Sequence, residues 1–75
     1  MKSTIKIETL GSSNGVYVTL DEYVLKTYDT WDKPLYIVIK TAERFARNWI
    51  RKYWTEGGII ETYNENNTLI TRIEY

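Results

Sequence analysis

The chain has 75 residues and a mass of 8.9 kDa, which is the size of one domain and too small for two independent cores. Its 10 Lys and Arg residues balance its 10 Asp and Glu residues, so no whole-molecule field draws it toward nucleic acid or a membrane. Cysteine and histidine are both absent, which excludes disulfides, thiolate nucleophiles, Cys/His zinc sites and imidazole acid–base chemistry.

The sequence carries no pattern typical of export or membrane insertion. No run approaches the roughly 20 apolar residues of a spanning helix, and the first residues alternate in polarity instead of forming an apolar signal core. A cysteine-free chain also fits a reducing compartment. We therefore expect a cytoplasmic protein without a membrane partner.

Two alternating segments open the chain. Residues 3–10 and residues 15–20 place apolar side chains at every second position, which is the period of a half-buried strand. Between them, Gly11 to Gly15 supplies the positive φ angles of a hairpin turn. This segment lacks the Gly-Lys-Ser/Thr ending of a phosphate-binding loop, so a hairpin is the better interpretation.

The middle of the chain is harder to interpret. Residues 19–28 begin with a capping-box pattern but contain residues that favour strands, and we expect a short helix there, with a strand as the alternative. Residues 29–34 have the composition of a loop that ends at Pro34. The β-branched and aromatic run that follows, residues 35–40, predicts a strand.

The strongest helical pattern covers residues 42–56, with Thr41 as its cap and Gly57-Gly58 as its end. A second hairpin follows, formed by residues 59–63 and 68–75 around the turn at residues 64–67. The order ββ(α/β)βαββ predicts a single α+β domain spanning residues 1–75, with a four- to five-stranded, mainly antiparallel sheet and one long amphipathic helix packed on one face.

One helix can cover only one face of such a sheet, so the sequence predicts a covered and an open side. The expected core residues are Ile5, Ile7, Val16, Val18, Leu35, Ile37, Ile39, Ile60, Leu69 and Ile73. The expected open side carries Lys6, Glu8, Tyr17, Thr19, Tyr36, Val38, Tyr63 and Arg72.

Tyrosine is the unusual feature of the expected open side. An uncovered face is normally dominated by Thr, Lys and Glu, whereas Tyr17, Tyr36 and Tyr63 offer large rings with hydroxyls that tolerate water. Together with Trp31 in the loop, they form a candidate protein interface. The alternative is that tyrosines simply favour strands and pair across them.

A basic stripe on the predicted helix is the second candidate. Arg44, Arg47, Arg51 and Lys52 could contact phosphates, with Trp54 stacking on a base. The alternative is an ordinary solvated helix face with Glu43 and Glu56 in local ion pairs.

Two weaker motifs remain. Asp29 and Asp32 flank Trp31 and could hold Mg²⁺, although this spacing is commoner in an Asx turn. Asn66-Asn67-Thr68 matches a glycosylation triplet, which we attribute to chance in a chain without an export signal. No catalytic residue, metal site, cofactor or small-molecule substrate is indicated, and we expect the protein not to be an enzyme.

These observations favour a binding module that acts through protein–protein contact, by way of the tyrosines, an unpaired strand edge or a homodimer. The size and plan suit an inhibitor or accessory regulator of the kind that bacterial viruses encode. The alternative function is nucleic-acid binding through the basic face of residues 42–56.

Overall fold

One five-stranded sheet and one long helix make up the structure, a computed structural model that describes residues 3–10, 15–31 and 33–75. The elements in chain order are β1 (Thr4–Leu10), β2 (Gly15–Leu20), β3 (Tyr23–Asp29), α1 (Leu35–Tyr53), β4 (Ile59–Tyr63) and β5 (Leu69–Glu74). The strands lie in the order β3-β2-β1-β4-β5, with β1 and β4 parallel and the other neighbours antiparallel. The predicted α+β class, with one helix on one face of a mainly antiparallel sheet, is confirmed.

β1 and β2 pair as the alternating pattern predicts. Ile7 lies opposite Val18, and both side chains are fully buried beneath the helix together with Ile5 and Val16. The predicted turn before β2 falls on residues 11–14, outside the described residues. The alternation of apolar and polar residues therefore correctly predicted that both segments are strands and which side chains they bury.

Residues 19–28 form the end of β2, a two-residue turn and most of β3, so the expected short helix is wrong. β2 continues to Leu20, and Asp21 adopts a positive φ of 54° in a tight turn into β3. That angle is incompatible with the first turn of a helix. The register shifts after Val18, and the additional β3 residue, Leu25, packs against the core.

The strand predicted at residues 35–40 is also wrong, because α1 begins at Leu35. The carbonyl of Pro34 accepts the first helical N–H groups, from Ile37 at 3.1 Å and Val38 at 3.3 Å. Val38 falls one turn before Ala42 on the stripe that faces the sheet. Packing of this stripe outweighs the strand preference of β-branched residues.

This change of element moves several residues from their expected positions. Leu35 and Ile37 are exposed rather than part of the core, and Val38, expected on the open side, is 4% exposed beneath the helix. Ile39 packs against the core as expected. The expected placement of Tyr36 on the sheet is likewise wrong, since it lies in the first turn of α1.

The helix ends at Tyr53, earlier than the predicted end near residue 56. The Trp54 N–H donates the last helical hydrogen bond to the Ile50 carbonyl at 2.8 Å. Gly57 then takes a φ of 90°, which reverses the chain into β4 as expected for a glycine after a helix.

β4 and β5 form the predicted second hairpin around residues 64–67. The Asn64 side-chain oxygen accepts the backbone N–H groups of Asn66 and Thr68 at 2.9 and 3.0 Å, and Asn67 adopts a φ of 61°. The turn therefore forms as the asparagine-rich sequence predicted, through side-chain hydrogen bonds to the backbone and an asparagine with a positive φ.

The helix covers the middle of the sheet and leaves β5 uncovered. Four gaps of about 4.8 Å make a five-stranded sheet roughly 19 Å wide, whereas a helix with its side chains is about 10 Å across. Ile73, expected in the core, is therefore 40% exposed on the helix side. Leu69, also expected in the core, is 45% exposed because the register shift before Tyr63 places it opposite Tyr63 on the open side, so both assignments are wrong.

Candidate protein interface

β5 is the strand whose side chains are all exposed, on both sides of the sheet. Ile73 lies opposite Ile60, and residues directly opposite one another share a face, so both point to the helix side. Ile60 is 1% exposed beneath α1, whereas Ile73 is 40% exposed beside it. Leu69 and Ile70 add further exposed apolar surface, with Ile70 53% exposed. β5 therefore exposes apolar side chains on both faces of the sheet, with Ile73 on the helix side and Leu69, opposite Tyr63, on the open side, and nothing in the described chain covers them.

The backbone of β5 is paired on one side. Gly58 and Tyr75 exchange two hydrogen bonds, from the Gly58 N–H to the Tyr75 carbonyl at 3.2 Å and from the Tyr75 N–H to the Gly58 carbonyl at 2.7 Å. In an antiparallel ladder, alternate residues point their backbone groups to opposite sides. The backbone groups of Arg72 and Glu74 therefore point away from β4, along the edge of the sheet.

α1 forms a wall beside β5 on the helix side of the sheet. Two neighbouring hollows of about 270 and 280 Å³ lie between the helix and the end of β5. The cationic residues that line them are Lys40, Arg44, Arg47 and Arg51. Ile73, Tyr75 and Trp54 contribute apolar surface. We call this surface, between the basic side of α1 and the helix side of β5, the α1–β5 groove.

Within the described part of the chain, none of the cations of the groove forms an ion pair with an Asp or Glu side chain. The ion pair found among the described residues joins the Arg72 Nε to a Glu61 carboxylate oxygen at 3.6 Å. This pair lies on the open side of the sheet and not in the groove. Glu43 in the groove wall instead accepts a hydrogen bond from the Thr62 hydroxyl at 3.3 Å. Neither Glu43 nor Glu56 forms the expected ion pair of a solvated helix face with any residue that the structure describes. The groove therefore carries positive charge that no described Asp or Glu side chain pairs.

Arg47 is the most enclosed of these cations. It is half-buried and lines both hollows, and its Nε is out of contact with solvent without a hydrogen-bond acceptor among the described residues. A buried donor of a charged group without an acceptor is costly, and an added carboxylate would relieve that cost.

The remaining basic-face candidates lie at different places. Trp54 closes one end of the groove, where its half-buried ring packs over Gly58: a Cβ built on Gly58 would lie 2.7 Å from the Trp54 Cε3. Lys52 lies on the other side of α1, with its Nζ 5.3 Å from the centre of the Tyr53 ring. The structure thus brings Arg44, Arg47 and Arg51 together and separates Lys52 from them.

The open face of the sheet carries two of the three predicted tyrosines. Tyr17 lies opposite Glu8, and Tyr63 follows on β4, so the two half-buried rings are separated by a charged residue. The Tyr63 hydroxyl donates to the Glu61 carboxylate at 2.9 Å, and the Lys6 Nζ lies 5.7 Å from its ring centre. The tyrosines therefore form parts of a polar row rather than one aromatic patch.

Two tyrosines have a raised pKa, and they lie on opposite faces. The hydrogen bond to Glu61 is the main cause that raises the pKa of Tyr63, followed by partial burial and the charges of Glu61 and Glu8. Burial raises the pKa of Tyr28, which packs against the core. The sheet separates these groups, so they do not combine into one site.

Trp31 lies in the loop before α1 and Tyr36 in the first turn of α1, where they are 77% and 64% exposed, and neither belongs to the open face of the sheet. The Trp31 N–H donates to the Asp29 carboxylate at 2.9 Å, which is the predicted Asx turn. Asp32, the second residue of the weak magnesium motif, lies outside the described residues. The residues that the structure describes contain no cluster of three acidic side chains suited to a metal ion.

Comparison with known proteins finds no matching family model, no similar curated protein and no similar solved structure. Among residues 3–10, 15–31 and 33–75, no helix is both long enough and apolar enough to cross a bilayer. The geometry of the chain itself is therefore the basis for a functional proposal.

The α1–β5 groove is the feature that the sequence reasoning missed. Its arginines were singled out, but Lys40, Ile73 and Tyr75 were not connected with them. A signal was present, since a sheet of five strands is about twice as wide as one helix and an edge strand must stay uncovered.

Proposed function

We propose that this protein is a non-enzymatic binding module that acts through protein–protein contact centred on β5. The observation that supports the proposal is an edge strand whose residues are all exposed and include Leu69, Ile70 and Ile73. Ile73 lies on the helix side and Leu69, opposite Tyr63, on the open side, so apolar side chains are exposed on both faces of this edge. Exposed apolar side chains along an unpaired sheet edge are typical of interaction sites. Tyr63, which pairs with Leu69, extends the surface on the open face.

A module of this kind would work as a regulator or inhibitor by covering part of its partner. A second copy of the chain is the simplest partner, because an edge strand can pair with its symmetry mate. A cytoplasmic location belongs to the same proposal and is supported by the cysteine-free composition.

Size-exclusion chromatography with light scattering, combined with affinity purification with and without nuclease, tests the proposal. The wild-type chain should form a dimer or retain a nuclease-resistant partner. Ile70→Lys places a charge on the exposed edge and should abolish that association. Tyr36→Lys, which places the same charge at an exposed position in the first turn of α1, is the matched control and should leave the association intact. A monomer without a partner, or an association indifferent to Ile70→Lys, would overturn the proposal.

Nucleic-acid binding is the second candidate, favoured by the unpaired Arg44, Arg47 and Arg51. Each phosphate interaction that a mutation removes should reduce the slope of log affinity against log salt by about one unit. Because the electrostatic contribution is largest in dilute salt, no binding of DNA or RNA at roughly 50 mM salt would eliminate this candidate.

A further inference from the structure

The helix side of the sheet has room for a second helix beside α1. α1 contacts β1, β2, β3 and β4, so the uncovered width lies over the outer part of β4 and over β5. A helix with side chains is about 10 Å across, close to half the width of a five-stranded sheet. α1 has 19 residues and is about 28 Å long, so a helix lying alongside it would meet its basic side over several turns.

The chemistry of the α1–β5 groove defines what such a helix must carry. Ile73 lies at the base of the groove, so a bound helix would have to place apolar side chains against it. α1 places apolar side chains against the sheet in the same way. The wall has four cationic side chains and one acidic side chain, Glu43, whose carboxylate already accepts a hydrogen bond from Thr62. Arg47 adds a buried Nε without an acceptor. An apolar stripe flanked by carboxylates would therefore complement the groove.

We propose that the α1–β5 groove binds an acidic amphipathic helix of a partner protein. The helix packs its apolar stripe on Ile73 and places Asp or Glu side chains against Arg44, Arg47 and Arg51. This inference rests on the proposed protein-binding function and specifies the surface and the partner's chemistry. The exposed Ile73 side chain at the base of the groove favours a protein helix as the ligand. A nucleic-acid phosphate backbone would gain no free energy from contact with an apolar side chain.

Selection from a display library of random 18-residue peptides tests this proposal and does not require the partner to be identified first. Peptides selected on the wild-type chain should have apolar residues at helical spacing and a net negative charge. Circular dichroism should show that they become helical when bound.

The site is tested with two double variants that change the net charge by the same amount. Arg44→Glu/Arg51→Glu reverses two exposed charges of the groove wall and leaves the half-buried Arg47 in place. It should weaken binding by roughly tenfold or more. Lys26→Glu/Lys52→Glu reverses two exposed charges on β3 and on the other side of α1, and it should change affinity by less than about twofold.

Each outcome separates this inference from the broader proposal. If the selected peptides are not acidic, are extended when bound, or bind the Arg44→Glu/Arg51→Glu chain normally, the helix-binding inference is wrong while protein binding stands. DNA or RNA that binds this groove and displaces the peptides would overturn it in favour of nucleic acid. Burial of the groove in a homodimer, seen by light scattering as a dimer that the same variant abolishes, would overturn it in favour of a second copy. No selectable binder and no purified partner would count against both proposals.

Discussion

Tyr63 is held on the open face by charged neighbours. Its hydroxyl donates to Glu61, which also lies 3.6 Å from Arg72. Ionisation would remove the donated hydrogen bond and place a phenolate beside a carboxylate, which is why the pKa of Tyr63 is raised from its ordinary value of 10.0. The side chain is thus an ordered part of the sheet surface.

We expect Glu61→Gln to lower the pKa of Tyr63 toward 10.0, measured by NMR titration of its ring. Because the folded pKa lies above the unfolded one, the stabilisation is complete below pH 10 and is lost as the pH rises through the folded pKa. The free energy of unfolding of the wild-type chain should therefore fall more above pH 10 than that of the variant. An unchanged pKa of Tyr63 in Glu61→Gln would show that the Glu61 carboxylate is not the cause of the raised pKa.

Gly58 is the second residue with a specific physical role. The ring of Trp54 and the side chain of Ile50 lie so close that a Cβ at position 58 would come within 2.7 and 3.2 Å of them. These side chains pack against the core and cannot move freely.

Gly58→Ala should therefore lower the free energy of unfolding by about 1–3 kcal/mol, as overpacking generally does, measured by urea denaturation. Trp54→Ala removes the ring that the new methyl group would meet. The cost of Gly58→Ala in that background should be smaller, and equal costs in both backgrounds would refute the steric explanation.

At the scale of elements, alternation identified β1 and β2 correctly, while β propensity misassigned the start of α1. Residues 35–40 contain both a strand-like composition and a helical spacing that links Val38 to Ala42. The helix prevails because it places Val38 on the same buried face as Ala42, Ala46 and Ile50. For residues 19–28 a helix was expected and strands formed. The capping-box pattern favours a helix only locally, whereas β3 gains the backbone hydrogen bonds of its pairing with β2.

Lys40→Pro tests the corrected start of the helix. A proline at this exposed interior position removes a helical hydrogen bond and clashes with the preceding turn, so it should cost about 3 kcal/mol or more. Lys40→Ala is the control and should cost little, because alanine favours helix. Thermal unfolding followed by circular dichroism measures both, and a well-tolerated proline would argue against a helix at residues 35–40.

The paired residues Ile60 and Ile73 test how much of the sheet α1 covers. Ile60→Ala should cost about 2–5 kcal/mol because it leaves a cavity beneath the helix. Ile73→Ala, directly opposite it on β5, should cost roughly 1 kcal/mol or less. Equal losses in urea denaturation would mean that β5 is covered after all.

For the whole molecule, the sequence was sufficient to predict the class, the existence of an open face, and Arg44, Arg47 and Arg51 on one side of the helix. It was not sufficient to predict that these arginines lie beside an uncovered strand. That relation depends on the strand order, in which β5 lies at the edge and farthest from α1, and no local pattern in residues 69–75 encodes this order. Ile73 was consequently assigned to the core from its period alone.

Site-specific photo-crosslinking in cells most directly tests whether the molecule works through β5. A benzophenone amino acid is placed at Ile73, or at the exposed Tyr23 on the opposite edge strand β3. We expect covalent adducts with a partner protein or a second copy from position 73 and none from position 23. Adducts from position 23 alone, or from neither position, would contradict an interface centred on β5.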